Sequence, residues 1–396
     1  MTQPAAAKRA RAAVPVFGLL ALVLMALSLR GPVSSVGPLL EELRHDLGLP
    51  GPAAAALPTL PLLCFGALAL TAPALSVRLG LHRAVLAGSA VLVVGIVLRG
   101  LGTPGLFAGT LLVGAGIAVV NVLLPAIVKA DFFRHLPLAT GLTTGSMALS
   151  ASLGAGLAQP LREATGGPLP SLAVWLAPAA VGLVAWLPIA RRRPRGAATS
   201  ASSHVLPMLR DRVALAVTVF FGLQSMAFYT LLAWLPSILR DAGVSAASAG
   251  AMLAVAALLG VPVAFVVPRL ATSRPAQGRY VVLVAAPVAL GLIGLLLAPA
   301  GAPWVWAVLL GIGTGAAFPL ALTLVLLRSR DSAQAARLSA CAQGAGYGIA
   351  AAGPFVIGVL HDLTSGWTAS LLVMLGLLAG QVLVGLAAAR DRTVER

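Results

Sequence analysis

The sequence predicts an all-α membrane protein of twelve transmembrane helices arranged as two halves of six. Three observations carry this. Of the 396 residues, 59% are hydrophobic and 10% charged, too few polar residues to cover a soluble protein of that size. The apolar residues form long runs, and the charges sit in short clusters between them. Finally, shifting the chain by 197 residues lays glycine-rich segments of its first part over segments of its second.

A hydrocarbon core about 30 Å thick takes about 20 helical residues, and unpaired backbone groups in lipid restrict spans to helices or closed barrels. The runs are too long for barrel strands. They fall at 14–38, 53–77, 84–98, 105–128, 138–160, 169–190, 213–239, 247–267, 280–298, 303–327, 338–360 and 367–389. The third is the shortest, and Arg99 at its end is expected to snorkel outward and lengthen it. The first run is far longer than the apolar core of a signal peptide and no small-residue cleavage site follows it, so it is expected to remain as a helix.

Lys and Arg concentrate on the cytoplasmic side of membrane proteins. Alternate gaps hold 22 of the 27 Lys and Arg residues, the opposite gaps hold Arg44, Arg99, Arg162 and Arg240, and Arg30 lies inside the first span. Both termini are thereby assigned to the cytoplasm. The net charge of +16 is then an orientation signal spread over seven segments, and with no interleaved aromatic platform it excludes nucleic acid as a partner. Arg far outnumbers Lys, and Ala and Gly abound, a composition of GC-rich bacterial genomes, so the expected location is the plasma membrane of a bacterium. Cys64 and Cys341 lie within spans in different halves and read as small buried apolar residues.

The longest polar stretch, 191–212, divides the spans six and six. It is expected to be a cytoplasmic linker between an N-terminal half, 1–190, and a C-terminal half, 213–396. The 197-residue shift places Gly114-Ala115-Gly116-Ile117-Ala118 over Gly311-Ile312-Gly313-Thr314-Gly315, and 142–157 over 339–354.

Several motifs are more particular. They are Leu29-Arg30-Gly31-Pro32-Val33-Ser34-Ser35-Val36-Gly37-Pro38-Leu39-Leu40; Gly116-Ile117-Ala118-Val119-Val120-Asn121-Val122-Leu123-Leu124-Pro125 with Lys129 and Asp131; Ala233-Trp234-Leu235-Pro236; Gly315-Ala316-Ala317-Phe318-Pro319-Leu320; and Gln343-Gly344-Ala345-Gly346-Tyr347. With these the sequence resembles, over essentially its whole length, the cyanate permease and nitroimidazole transporter (CynX/NimT) family of the major facilitator superfamily. The resemblance implies the major facilitator fold, in which a midplane site is exposed alternately by rocking of two halves, and an inner-membrane permease for small, mostly anionic or polar solutes. One departure stands out. Where the wider superfamily usually carries Asp, Arg, Gly and Arg between its second and third helices, this chain keeps Arg78, Gly80 and Arg83 but has Val77 in place of the Asp. The carboxylate latch of that loop is therefore not supplied.

Arg30 is the sharpest single feature. It lies four residues past the middle of its span, about 6 Å along a helix axis, and no Asp or Glu falls inside any predicted span. A buried guanidinium without a carboxylate needs an anion, backbone carbonyls or water. An anionic substrate supplies the first, and a planar oxyanion suits the guanidinium fork; the competing reading is a brace for helix broken near Pro32, or an outward snorkel. Ser34 is one turn on and joins Arg30 if the helix survives Gly31-Pro32, or else bonds its own backbone. Asn121, deep in the fourth span, either meets the substrate or ties helices together. Gln224 near the centre of the seventh span, with Gln343 and Tyr347 one turn apart in the eleventh, can line a cavity and bind a polar solute. Tyr229 and Trp234 share the seventh span; Tyr229 lies off the Gln224 face, and Trp234, near an end, reads equally as an interface residue.

Glycines at spacing four, Gly105 and Gly109, Gly141 and Gly145, Gly311 and Gly315, and Gly344 and Gly348, are read as close helix contacts. Gly114-Ala115-Gly116 is not a nucleotide loop, because it lies within an apolar span with no following strand or Lys-Ser/Thr. The five histidines show no metal-ligand pairing, no cofactor is implied, and no nucleophile with a base or paired carboxylate in a span supports an enzyme.

The expected function is secondary active or facilitative transport of a small solute, a small anion such as cyanate or a related planar anion, by alternating access, with the protein acting as a monomer in the bilayer. Efflux of neutral, nitroimidazole-like compounds is the alternative. A solute sensor that does not transport is a distant third, opposed by the short linker and tail. Proton coupling stays open: no Asp, Glu or His lies within a span, and uniport, exchange and co-transport of a proton with the substrate all fit.

Overall fold

A computed structural model of the chain describes residues 16–191, 205–273 and 277–394. All regular structure among them is helical. In order, the helices are α1 (Val16–Leu27), α2 (Gly31–Ser34), α3 (Leu40–Asp46), α4 (Gly51–Ala69), α5 (Ala72–Leu79), α6 (Leu81–Arg99), α7 (Gly102–Asp131), α8 (Leu136–Thr165), α9 (Pro168–Ala173), α10 (Leu176–Arg191), α11 (Arg212–Asp241), α12 (Ala246–Thr272), α13 (Gly278–Leu297), α14 (Pro303–Leu327), α15 (Ser332–Thr364) and α16 (Thr368–Ala388).

Ten stretches among the described residues are long and apolar enough to cross a membrane, and the pair Ala56–Ala69 and Ala72–Leu79, bent by 58°, makes an eleventh. The remaining expected span is α8. It has the length, but Thr140, Thr143, Thr144, Ser146 and Ser150 lower its hydropathy, and all five are buried against other helices. Three expected spans are broken. The first divides at Ser28–Arg30 between α1 and α2, since Pro32 has no N–H to continue the ladder. The second bends after Leu70, just before Pro73, and the sixth divides between α9 and α10. Acidic residues at span ends act as helix caps: Asp211 accepts from Val213 N and Ala214 N, and Asp331 from Gln334 N.

Arg99 corrects the sequence expectation. The side chain does not snorkel; it is fully buried and donates to Pro32 O at 2.6 Å and to Thr110 Oγ1 at 3.1 Å. The break in the first span frees a carbonyl, and a guanidinium satisfies it more strongly than lipid headgroups or water at a distance. The third span itself is the 19-residue α6.

A repeat close to the one found in the sequence, at an offset of 199 residues, is seen in the structure. Thr165 at the end of α8 donates to Leu161 O at 2.6 Å, and Thr364 at the end of α15 donates to Leu360 O at 2.6 Å. Ser171 reaches back to Ala158 O, and Ser370 to Ile357 O, each 13 residues away. Seven of the eight spaced glycines approach another helix closely. A Cβ on Gly109 would lie 2.4 Å from Gly95 O, and one on Gly315 would lie 2.5 Å from Gly260 Cα; only Gly348 faces open space. Of the linker expected at 191–212, residues 192–204 lie outside the described residues, and Leu206–Arg210 forms a short 3-10 helix.

Buried apolar side chains gather into three clusters. One draws on helices from both sides of 192–204, including Leu22, Phe65, Ile117 and Met147 from the first set and Phe221, Leu320, Ala342 and Tyr347 from the second. The others belong to one set each: Val36, Leu39, Leu57, Leu106 and Leu172 in the first, and Leu235, Met252, Leu292, Leu310 and Met374 in the second. The shared core lies toward the end carrying the arginine-rich gaps, and the separate cores lie toward the other. Hydrogen bonds between the sets follow the same division. Lys129 Nζ donates to Leu326 O at 2.7 Å and to Ser329 O, Thr144 Oγ1 to Ala264 O at 3.0 Å, and Gln343 Nε2 to Asn121 O at 3.2 Å.

Candidate solute-binding site

The break between α1 and α2 puts Arg30 where the two sets of helices meet. A hydroxyl from α8 holds the break open. Ser150 Oγ accepts from Gly31 N at 2.8 Å and donates to Leu27 O at 2.5 Å, taking the place of the Gly31-to-Leu27 bond that an unbroken helix would make. Gly31 has no side chain because the Trp175 ring fills that space, 2.2 Å from where a Cβ would lie. Beyond the break, Ser34 N donates to Arg30 O at 2.9 Å, so Ser34 stays one turn from Arg30.

Aromatic rings surround the guanidinium. Its Cζ lies 5.4 Å from the centre of the Phe318 ring and 6.0 Å from that of Phe65. The phenols of Tyr347 and Tyr229 interact with it from α15 and α11. The rings pack on one another: Phe65 on Tyr347 at 5.4 Å, Phe221 on Tyr347 at 5.4 Å and on Phe318 at 5.9 Å, and Tyr229 on Tyr347 at 6.4 Å. Each ring face contributes about 0.5–2 kcal/mol toward a desolvated cation, but none neutralises it. Among the described residues no carboxylate lies within ion-pair distance of Arg30. The Tyr347 hydroxyl is buried and makes no hydrogen bond of acceptable geometry.

The other expected residues separate into groups. Gln343 spends its N–H donors on Asn121 O and Ser339 Oγ. Gln343 and the Asn121 side chain line a narrow cavity with Thr140, Thr143, Met147, Phe318 and Leu326. Gln224 is not brought to either place: its N–H groups bond Phe221 O and Ser225 Oγ on its own helix. It is Tyr229, off the Gln224 face, that meets Arg30. Trp234 donates to Pro354 O and packs at a tilt against Trp367, and among the described residues no ring contact or hydrogen bond joins it to the Arg30 cluster. Sequence reasoning missed Phe65, Phe221, Phe318, Ser150 and Thr140. Phe318 stood within one of the quoted motifs, but an apolar ring in an apolar span gives no sign of its neighbours.

An unpaired guanidinium at a broken helix, placed where two helix sets meet over a core shared at one end only, is the arrangement of an alternating-access carrier. Comparison with known proteins agrees: the sequence pattern of the Major Facilitator Superfamily matches residues 16–351. The chain is 36% identical to the transporter YycB of Bacillus subtilis (strain 168), over 94% of this chain and 93% of that protein. It is 33% identical to the 2-nitroimidazole transporter of Escherichia coli (strain K12), over 94% and 95%, and 32% identical to the cyanate transport protein CynX of the same organism, over 91% and 95%. The proton:xylose symporter XylE shares the fold, with a TM-score of 0.72 over 96% of this chain and 97% of that one at 12% identity. The chain belongs to the major facilitator superfamily, in the branch of the cyanate and nitroimidazole transporters, and is a multi-pass membrane transporter.

Proposed function

We propose that the protein carries a small anion, cyanate or a related planar anion, across the bacterial plasma membrane by alternating access, with Arg30 as the charge partner of the solute. One observation carries this reading: Arg30 is a charge at the junction of the helix sets that is ringed by aromatics and phenols, with no carboxylate among the described residues to neutralise it. An anion completes it: without one, the half-buried guanidinium has only rings, phenols and water to offset its partial desolvation. Tyr229 and Tyr347 adjoin the guanidinium and supply hydroxyls that orient the solute, with Ser34 one turn along from Arg30 as a third. The rocking units are the N-terminal half, 1–190, and the C-terminal half, 213–396, acting in a monomer, with both termini and the arginine-rich gaps in the cytoplasm. On that orientation the shared core seals the cytoplasmic end and the site faces outward.

A second reading draws on the aromatic wall. Phe65, Phe221, Phe318, Tyr229 and Tyr347 suit a flat heteroaromatic ring such as 2-nitroimidazole, whose nitro oxygens meet Arg30 while the ring stacks. Competition distinguishes the two. Purified protein in liposomes is given labelled cyanate, with excess nitrite or excess 2-nitroimidazole, with and without a pH gradient. Saturable cyanate uptake that nitrite inhibits supports the anion reading, and its response to the gradient reports proton coupling. Uptake of 2-nitroimidazole with none of cyanate supports the second.

A further inference from the structure

Asn121 and Thr140 are each only 4% exposed, and Asn121 Oδ1, Asn121 Nδ2 and Thr140 Oγ1 have no hydrogen-bond partner among the described residues. Leaving such groups buried and unpaired is destabilising, and apolar side chains of the same shape avoid that cost. Both side chains line one cavity, which has about 20 Å3 for the centre of a water molecule and so admits about one water in this conformation. Its wall on the Arg30 side is Phe318, the same ring whose centre lies 5.4 Å from Arg30 Cζ. Toward the arginine-rich end its wall is Val128 and Leu326, beside the bond from Lys129 to Leu326 O. The cavity therefore lies between the guanidinium and the sealed end, on the line a solute must take to leave there.

We propose that this cavity is a second solute station, separated from Arg30 by Phe318, which takes a small hydrogen-bonding solute of a few heavy atoms through uncharged groups alone. It rests on the Arg30 reading above. Asn121 offers two N–H donors and a carbonyl acceptor, and Thr140 a hydroxyl that does either. These groups hold an anion or a neutral polar solute more weakly than a guanidinium does. A solute passing Phe318 thus exchanges its charge partner for neutral hydrogen bonds, and release on the arginine-rich side does not have to break an ion pair in one step. Separation of Val128 from Leu326 as that end opens enlarges the cavity from the size of one water to that of the solute.

The test uses Asn121→Leu and Thr140→Val, singly and together, in the full-length protein with labelled cyanate and 2-nitroimidazole as probes. Three quantities are read: equilibrium binding to the purified protein, exchange rate in liposomes, and melting temperature. The station requires binding within about twofold of wild type and exchange slowed at least tenfold, with a melting temperature equal to or above wild type. Thr140→Ser should then exchange at close to the wild-type rate. Wild-type exchange in a stably folded double variant would overturn the proposal, and so would loss of binding together with exchange, because the groups would then belong to the Arg30 site. If the double variant does not fold, Thr140→Val carries the test by the same criteria. Failure of the wild-type protein to bind either probe is a different result: it overturns the Arg30 reading, and this station with it.

Discussion

At the scale of single residues, Arg30 is placed by neighbours that carry no charge. Ser150 bridges the two ends of the broken ladder, Trp175 occupies the space beside Gly31, and Phe65 and Phe318 flank the guanidinium. Lysine keeps the charge but loses the planar fork and most of the stacking, so Arg30→Lys is expected to raise KM for a planar anion at least tenfold with little change in melting temperature. Measured uptake kinetics with unchanged KM would show that charge alone suffices. Tyr347→Phe separates structure from binding in another way. Its hydroxyl lies beside the Arg30 guanidinium with no well-aligned hydrogen bond among the described residues, so stability should hold within about 1 kcal/mol, while solute affinity falls several-fold if that hydroxyl meets the solute. At this scale the sequence disclosed the charged and amide residues, because a polar group inside an apolar span is conspicuous. It did not disclose Phe65, Phe318 or Ser150. Their importance lies in what they touch across the fold, and nothing in their own spans distinguishes them. Gln224 lies apart from the Arg30 cluster for the converse reason: its amide N–H groups are satisfied within its own helix, by Phe221 O one turn back and by Ser225 Oγ, an outcome that position along a span cannot exclude.

At the scale of elements, two contacts govern the site. The first is the α1–α2 break against α8. Ser150→Ala leaves Gly31 N–H and Leu27 C=O unpaired, at a cost of about 1–3 kcal/mol. The melting temperature should fall, and KM should rise because the turn bearing Arg30 is released. A wild-type KM in the destabilised variant would confine Ser150 to a structural role. The second contact is between the ends of α7 and α14. Lys129 donates to Leu326 O in the last turn of α14 and to Ser329 O just beyond it, where a cation complements both the terminal carbonyls and the helix dipole. It ties the two helix sets at the arginine-rich end, in a chain whose second loop has Val77 instead of the superfamily's usual Asp. Hydrogen bonds to a charged group contribute about 1.5–3 kcal/mol, so Lys129→Met should favour opening of that end roughly tenfold or more. The readout is maleimide labelling of Val128→Cys in a background lacking Cys64 and Cys341, which should accelerate correspondingly; an unchanged rate would mean the latch lies elsewhere. Sequence reading saw Lys129 only as an orientation charge, since its partners are backbone carbonyls about two hundred residues away.

At the scale of the whole molecule, the number of spans and the duplication were legible because both are properties of pattern. Long apolar runs must be helices in lipid, and a doubled chain repeats its helix ends, as Thr165 and Thr364 do. The breaks were partly legible through Pro32 and Pro73. The shared and separate cores were not, because the same apolar residues serve equally to face lipid, a neighbouring helix or the opposite set. That asymmetry makes a single conformation informative: with one end sealed by Lys129, Thr144 and Gln343, the unpaired guanidinium is left to the other side. The most direct test is equilibrium binding of labelled cyanate to purified wild-type protein and to Arg30→Ala, both shown to be folded. Saturable binding by the wild type and none by the variant is the expected result. Equal binding by the two proteins would contradict the account and leave Arg30 as a brace for the broken helix.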